Sequence, residues 1–152
     1  MFPLGREKGE TLMATLFTRI IEGDLPGHFV WRDELCVGFL SIAPLNPGHT
    51  LVVPRVEIEH WIDLDSELVG HLFKITQSIG KALAREYKPV KVGTIVLGLE
   101  VPHVHIHAVP VWNPTDLDFH NANPNTSSEA LAQEAQKIRT ALTALGYAQA
   151  AQ

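Results

Sequence analysis

The chain has 152 residues, enough for one domain with a hydrophobic core, and neither a repeat nor a break in composition divides it. Its formal net charge is -5, and its 12 Lys and Arg residues form no basic stripe, which argues against nucleic-acid binding and favours a small ligand. The sequence has no apolar run of the roughly 20 residues that a membrane helix needs, and its start does not resemble a signal peptide. We therefore expect a cytoplasmic protein that does not bind membranes, with its single cysteine, Cys36, in the core.

The chain begins with a segment that lacks hydrophobic periodicity, and we expect residues 1–13 to be a flexible tail. A short helix is predicted near residues 14 to 22, where Leu16 and Ile20 share an apolar face. Gly23 and Pro26 then end the helical pattern.

Three strands are predicted next. The runs HFVWRD and ELCVGFLSI are rich in β-forming residues and are separated by polar ones, which is typical of an antiparallel hairpin. The segment APLNPGHTLVVP predicts a turn and then a strand over residues 50–53, which Pro54 ends. His49 lies where this loop becomes a strand.

The second half of the chain predicts a long helix, two strands and a last helix, in that order. Apolar residues recur every three or four positions from Asp63 to Tyr87, which predicts a long helix with Asp63 or Asp65 as its cap. The runs KVGTIVLGL and VPHVHIHAVPVW predict a fourth and a fifth strand, and a last helix is predicted from about Ser128 to Leu145. Central strands flanked by helices, without βαβ alternation, predict an α+β fold with an antiparallel sheet.

Three histidines alternate with apolar residues in the predicted fifth strand. Because alternate side chains of a strand share a face, His103, His105 and His107 should line up within roughly 14 Å. A half-exposed strand with incidental histidines explains this pattern poorly, since each buried imidazole needs a hydrogen-bond partner. The intervening side chains should face the core: Val104, Ile106 and Ala108.

Two kinds of chemistry fit this histidine row. In a zinc site, two histidines of the strand would ligate the metal, with His49 as a possible third ligand. In nucleophilic chemistry at phosphorus, one neutral imidazole would attack while its neighbours bind the charged oxygens. The spacing alone does not separate these alternatives.

The segment HVHIHAV resembles the H-φ-H-φ-H-φ-φ signature of the histidine triad (HIT) superfamily, and FLSIAPLNPGHTLVVPR resembles the family's second block. The resemblance covers residues 14–112 and leaves residues 113–152 as a C-terminal loop and helix extension. It implies a five-stranded antiparallel sheet with two flanking helices, to which the C-terminal helix predicted above is added. It also implies a homodimer with one ten-stranded sheet, and nucleotide binding without a metal or other cofactor.

The resemblance also implies roles for single residues. His105 would be the nucleophile that attacks the α-phosphate and forms a nucleotidyl-histidine intermediate. His107 and His49 would contact the phosphate oxygens and the leaving group, and His103 would orient a neighbouring imidazole. The family's apolar base pocket corresponds to residues that core packing could also explain one by one: Leu16, Phe17, Ile20, Leu25, Phe39, Ile42 and Leu51.

The sequence departs from the family pattern at three nucleotide-contacting positions. Leu99 and Glu100 stand where Gln and Ser or Thr are expected, and Ser41 replaces an aspartate that commonly holds the ribose. We therefore expect a phosphoramidase-like hydrolase or transferase that acts on a purine nucleotide conjugate. The alternatives are a non-catalytic nucleotide-binding or sensor protein, a dinucleoside polyphosphate hydrolase and a zinc-dependent hydrolase.

Overall fold

The computed structural model describes residues 14–150, so the tail predicted at residues 1–13 lies outside the described residues. In the described part, five strands form one antiparallel sheet, accompanied by three α-helices. This confirms the predicted α+β fold. The elements are α1 (Leu16–Ile21), β1 (Phe29–Arg32), β2 (Cys36–Leu40), β3 (Thr50–Pro54), α2 (Ser66–Tyr87), β4 (Lys91–Val96), β5 (Ile106–Val111) and α3 (Ser128–Ala144). The strand order in the sheet is β1-β2-β3-β5-β4.

The two faces of the sheet carry two separate apolar clusters. On one face, alternate strand residues pack with α2 and α3 in the main core, where Val104, Ile106 and Ala108 lie as predicted. Cys36 also belongs to this core and is buried, as expected. On the other face, Phe17 from α1 packs with residues of β1, β2 and β3 in a smaller cluster. The sheet therefore separates a structural core from the face that carries α1.

Helix α2 begins later than the apolar pattern predicted. Asp63 ends a short 3-10 helix that starts at Trp61, and Asp65 is the cap of α2, because its carboxylate accepts the amide of Glu67 at 2.8 Å. Lys88 ends the helix in the left-handed conformation, at φ 49°.

Helix α3 joins the C-terminal segment to the same core. The hydroxyl of Ser127 caps it by accepting the amide of Ala130 at 3.1 Å. Its buried residues lie in the main core. Leu145 was predicted on this buried face, but its side chain is 38% exposed because it follows the last helical residue, Ala144. None of the helices within residues 14–150 is long and apolar enough to cross a membrane.

Both of the last two strands are shorter than predicted. The run predicted as the fifth strand begins at Val101, but β5 starts only at Ile106, so His103 and His105 precede the strand. The amide of His103 bonds to the carbonyl of Val101 at 2.8 Å, and this tight turn draws the segment away from the strand ladder. The fourth strand ends at Val96 because the chain turns at Gly98, which has a φ of 77°.

Strand β4 forms one edge of the sheet, and its residues are exposed or half-buried along its whole length. Val90 and Leu97, at its two ends, are 68% and 56% exposed. An open edge flanked by exposed apolar side chains can pair with the same edge of a second copy around a two-fold axis. Such pairing would give the ten-stranded sheet.

We predict that the protein is a homodimer and that the double change Val90→Lys and Leu97→Lys makes it monomeric, because it places four charges at the paired edges. Light scattering at micromolar concentration gives the mass of both forms. Leu35→Lys, on an exposed residue beside the opposite edge of the sheet, is the matched control and should remain a dimer. A parent protein with the mass of one chain would contradict the prediction.

Candidate active site

Cross-strand pairing places one histidine of the triad in a row of apolar side chains. The register pairs Phe29 with Phe39, Phe39 with Leu51, Leu51 with His107, and His107 with Ile95. Directly paired residues point to the same face of a sheet, so His107 extends the row formed by the aromatic rings. This is the face that carries α1.

Four histidines reach this region from three parts of the chain. His49 comes from the turn before β3, His103 and His105 come from the irregular segment before β5, and His107 lies in β5. All four are buried, with exposures of 2%, 0%, 7% and 8% in chain order. The rings of His105 and His107 are 4.9 Å apart, and those of His49 and His107 are 5.1 Å apart. The structure thus brings together every predicted histidine, although two of them lie outside a regular strand.

A chain of hydrogen bonds assigns the protons of His49 and His107. The amide of Leu45 donates to Nδ1 of His49 at 3.0 Å, so the neutral ring of His49 carries its proton on Nε2. That nitrogen lies 2.8 Å from Nδ1 of His107 and donates to it. His107 must then carry its own proton on Nε2, where it is available to a phosphate oxygen or a leaving group.

In His105 the proton and the lone pair are on the opposite nitrogens from those in His107. Its Nδ1 lies 2.7 Å from the backbone carbonyl of His103, which can only accept, so Nδ1 carries the proton. The lone pair of His105 is therefore on Nε2. One buried imidazole thus offers a nucleophilic nitrogen directly beside another that offers a donor, as attack on phosphorus requires.

The pKa values of these histidines support neutral rings. Burial lowers the pKa of His49 to about 4 and that of His107 to about 3, and repulsion from neighbouring histidines adds to both shifts. Burial also lowers the pKa of His103 and of His105. For His105 this shift is opposed by the hydrogen bond to His103 and by the negative charge of Glu100.

Comparison with known proteins identifies the family to which this chain belongs. A family profile for the HIT domain matches residues 22–114. This chain belongs to the HIT family. It is 33% identical over 106 residues to Protein hit of Bacillus subtilis, covering 66% of this chain and 73% of that protein. It is 29% identical over 102 residues to adenosine 5'-monophosphoramidase hnt1 of Schizosaccharomyces pombe, covering 66% and 77% of the two chains.

A solved HIT-family structure confirms the fold. The chain superimposes on a zinc-bound histidine triad family protein from Mycobacterium smegmatis with a TM-score of 0.76 and 27% identity, over 88% of this chain and 96% of that one. The resemblance seen in the sequence is therefore confirmed at the level of family and protomer fold.

The residues assigned to the HIT base pocket fall into two groups. All of the buried ones belong to the apolar cluster beside the triad, where the ring of Phe17 meets that of Phe39 at 5.5 Å and that of His105 at 4.8 Å, edge to face. The other predicted members of this cluster are Ile20, Leu51 and the half-buried Leu25.

The remaining predicted contacts are exposed, apart from Ser41. Leu16, Ile42 and Leu99 are 43%, 69% and 83% exposed, so core packing does not explain them. Ser41 is half-buried, and its hydroxyl accepts the amide of Ala43 at 3.2 Å. Glu100 is exposed, yet its negative charge acts to raise the pKa of His105.

Sequence reasoning missed two features of the site. The ring of Phe119, from the loop after β5, packs edge-on against His107 at 5.0 Å, and no sequence pattern predicted this contact. The hydroxyl of Thr15 lies 2.8 Å from Nδ1 of His103, and its place as N-cap of α1 was the only available signal. Thr15 precedes His103 by 88 residues, and Phe119 lies in the loop after β5, whose path no local pattern predicts.

The triad is expected to make stability depend on pH. An unfolded histidine takes up a proton near pH 6.5, whereas folded His49 and His107 resist protonation down to pH values of about 4 and about 3. Their contribution to the free energy of unfolding is complete above pH 6.5. It is lost as the pH falls, by up to about 1.4 kcal/mol per pH unit for each ring. Urea unfolding at a series of pH values should show that His107→Gln flattens the curve between pH 6.5 and 4, whereas the exposed control His60→Gln does not. Parallel curves for both variants would refute this.

Proposed function

We propose that the protein is a nucleotide hydrolase or transferase that cleaves at the α-phosphate of a purine nucleotide conjugate through a nucleotidyl-His105 intermediate. One observation carries the proposal: the ring of His105, whose lone pair is on Nε2, lies 4.9 Å from the ring of His107, whose N–H is on Nε2. A phosphoramidate is the favoured substrate class. The S. pombe relative is named as an adenosine 5'-monophosphoramidase, which supports this choice.

The proposed reaction has two steps. In the first, Nε2 of His105 attacks the α-phosphorus and the new N–P bond forms. The leaving group departs with the electrons of its own bond to phosphorus and takes up a proton from solvent. His107 donates a hydrogen bond to the phosphoryl oxygens or the departing atom. In the second, water attacks the phosphorus, the bond to His105 breaks, and the nucleoside monophosphate is released as the water proton passes to solvent.

The apolar cluster beside His105 supports a nucleotide as the bound group. The buried ring of Phe17 packs against the nucleophile and that of Phe39 packs against Phe17, and the exposed Leu16 and Ile42 beside this cluster would cover a flat base. Ser41 would offer the ribose a neutral hydroxyl in place of a carboxylate.

Zinc chemistry is the second candidate, because the M. smegmatis neighbour is zinc-bound. Within residues 14–150, one group of metal-ligating atoms lies within 4.8 Å of one another, and it consists of Asp33, Cys36 and His71. It contains none of the triad histidines. This favours imidazole chemistry at the triad.

We predict that His105→Ala lowers turnover of an adenosine phosphoramidate by roughly 1000-fold or more while nucleotide binding survives, because the nucleophile acts mainly in the transition state. Turnover and nucleotide affinity are measured together, and mass spectrometry should locate a trapped adduct on His105.

Prolonged chelation of the parent should leave its activity unchanged, whereas zinc catalysis predicts a loss.

His60→Ala, at an exposed histidine outside the site, is the matched control and should behave as the parent. A His105→Ala enzyme within about tenfold of the parent, a barrier change of only about 1.4 kcal/mol, would contradict the covalent mechanism. A parent with neither adduct nor turnover would favour the non-catalytic binding protein.

We predict that Glu100 selects against polyphosphate leaving groups, because its charge lies close enough to influence His105 and would repel a phosphate chain. An amine leaving group, which departs with a proton, would instead be favoured by a nearby carboxylate. Glu100→Ser should shift the ratio of kcat/KM values for a diadenosine polyphosphate and an adenosine phosphoramidate toward the polyphosphate by roughly two- to fivefold, as expected for an exposed charge. The same change at exposed Glu59 is the control, and an unchanged ratio in Glu100→Ser would remove the preference for amines.

A further inference from the structure

The first histidine of the triad is held at both ring nitrogens. His103 is fully buried, and its Nε2 lies 2.7 Å from the backbone carbonyl of Pro54, so that nitrogen carries a proton. In the neutral ring, Nδ1 is then an acceptor and receives the hydroxyl of Thr15 at 2.8 Å. This pair of bonds leaves the ring one tautomer and one orientation.

A carboxylate from the loop after β3 fixes that threonine. Oε1 of Glu57 accepts the backbone amide of Thr15 at 2.7 Å and the hydroxyl of Thr18 at 2.8 Å. Partial burial raises the pKa of Glu57, but the hydrogen bonds from both threonines outweigh this and hold it below the usual value. Glu57 is therefore ionised at neutral pH, and hydrogen bonds to a charged acceptor are stronger than neutral ones.

The hydrogen bonds that join Glu57, Thr15 and His103 are connected to His105 in two ways. The carbonyl of His103 accepts Nδ1–H of His105 at 2.7 Å and so keeps its lone pair on Nε2. Helix α1, which begins at the clamped Thr15, places the ring of Phe17 against His105 with centroids 4.8 Å apart. Two of the contacts of the His105 imidazole are thus made by residues that Thr15 holds: His103 through the hydroxyl of Thr15, and Phe17 through helix α1.

We propose that Glu57 is a positioning residue for His105: it clamps the start of α1 so that Thr15 orients His103, and His103 and Phe17 together orient the nucleophile. This proposal rests on the proposed function, because it assigns Glu57 a part in forming the His105 adduct. A carboxylate that only fastened α1 to the fold would influence stability and leave the ring of His105 unchanged.

The test compares Glu57→Ala, which removes the acceptor, with Glu57→Gln, whose amide oxygen can still accept from both threonines. In Glu57→Ala we expect kcat for an adenosine phosphoramidate to fall roughly 10- to 100-fold with KM within about threefold, because the nucleophile is misaligned after the substrate has bound. Glu57→Gln should stay within about threefold of the parent. Glu59→Ala, at the exposed glutamate two residues away, is the matched control and should leave kcat unchanged. Thr15→Val keeps the carboxylate but cuts the bond to His103, and should reproduce the loss if Glu57→Ala does not fold.

A second measurement separates this proposal from the proposed function. Nitrogen-15 NMR of the substrate-free protein reports which nitrogen of His105 is protonated. We expect Nδ1–H alone in the parent and in Glu57→Gln, and a mixture of tautomers in Glu57→Ala or Thr15→Val. If the parent lacks turnover but the tautomer of His105 still changes, the positioning role stands and the proposed function fails. If Glu57→Ala, or Thr15→Val in its place, matches the parent in both tautomer and kcat, the positioning role is overturned.

Discussion

The hydrogen bond between His49 and His107 is the interaction on which the rest of the site depends. It joins the turn before β3 to β5, and the amide of Leu45 fixes its direction by donating to His49. Two neutral imidazoles in contact can share only one proton in that bond, so the Nε2–H of His49 leaves the proton of His107 on its other nitrogen, Nε2. The backbone amide of Leu45 thereby determines which nitrogen of His107 carries the proton, and His107 is the side chain proposed to contact phosphate.

This arrangement depends on burial. A solvated histidine exchanges tautomers and protonates near pH 6.5, and either change would remove the fixed pattern of donor and acceptor. Burial lowers the pKa of His49 and of His107 far below that value. The same desolvation that keeps these rings neutral also ties the stability of the fold to pH.

The sheet allows this polar cluster to exist without weakening the core. Its other face carries the main apolar cluster with α2 and α3, which supplies most of the buried apolar surface. The face with α1 can then hold histidines whose ring nitrogens are satisfied by one another and by the backbone, as His105 is by His103. The main core and the histidine cluster thus lie on opposite faces of one sheet.

The sequence alone determined the α+β class, the helix and strand order and the identity of the four histidines, because hydrophobic periodicity and the H-x-H spacing are local. It did not determine that β5 begins only at Ile106, since a turn closed by a backbone bond to Val101 overrides the alternating pattern. Only the tertiary structure decided which imidazole nitrogen carries each proton and that Thr15 bonds to His103. These contacts join residues separated by 58 and 88 positions, and no local pattern encodes which distant partner will satisfy a buried ring.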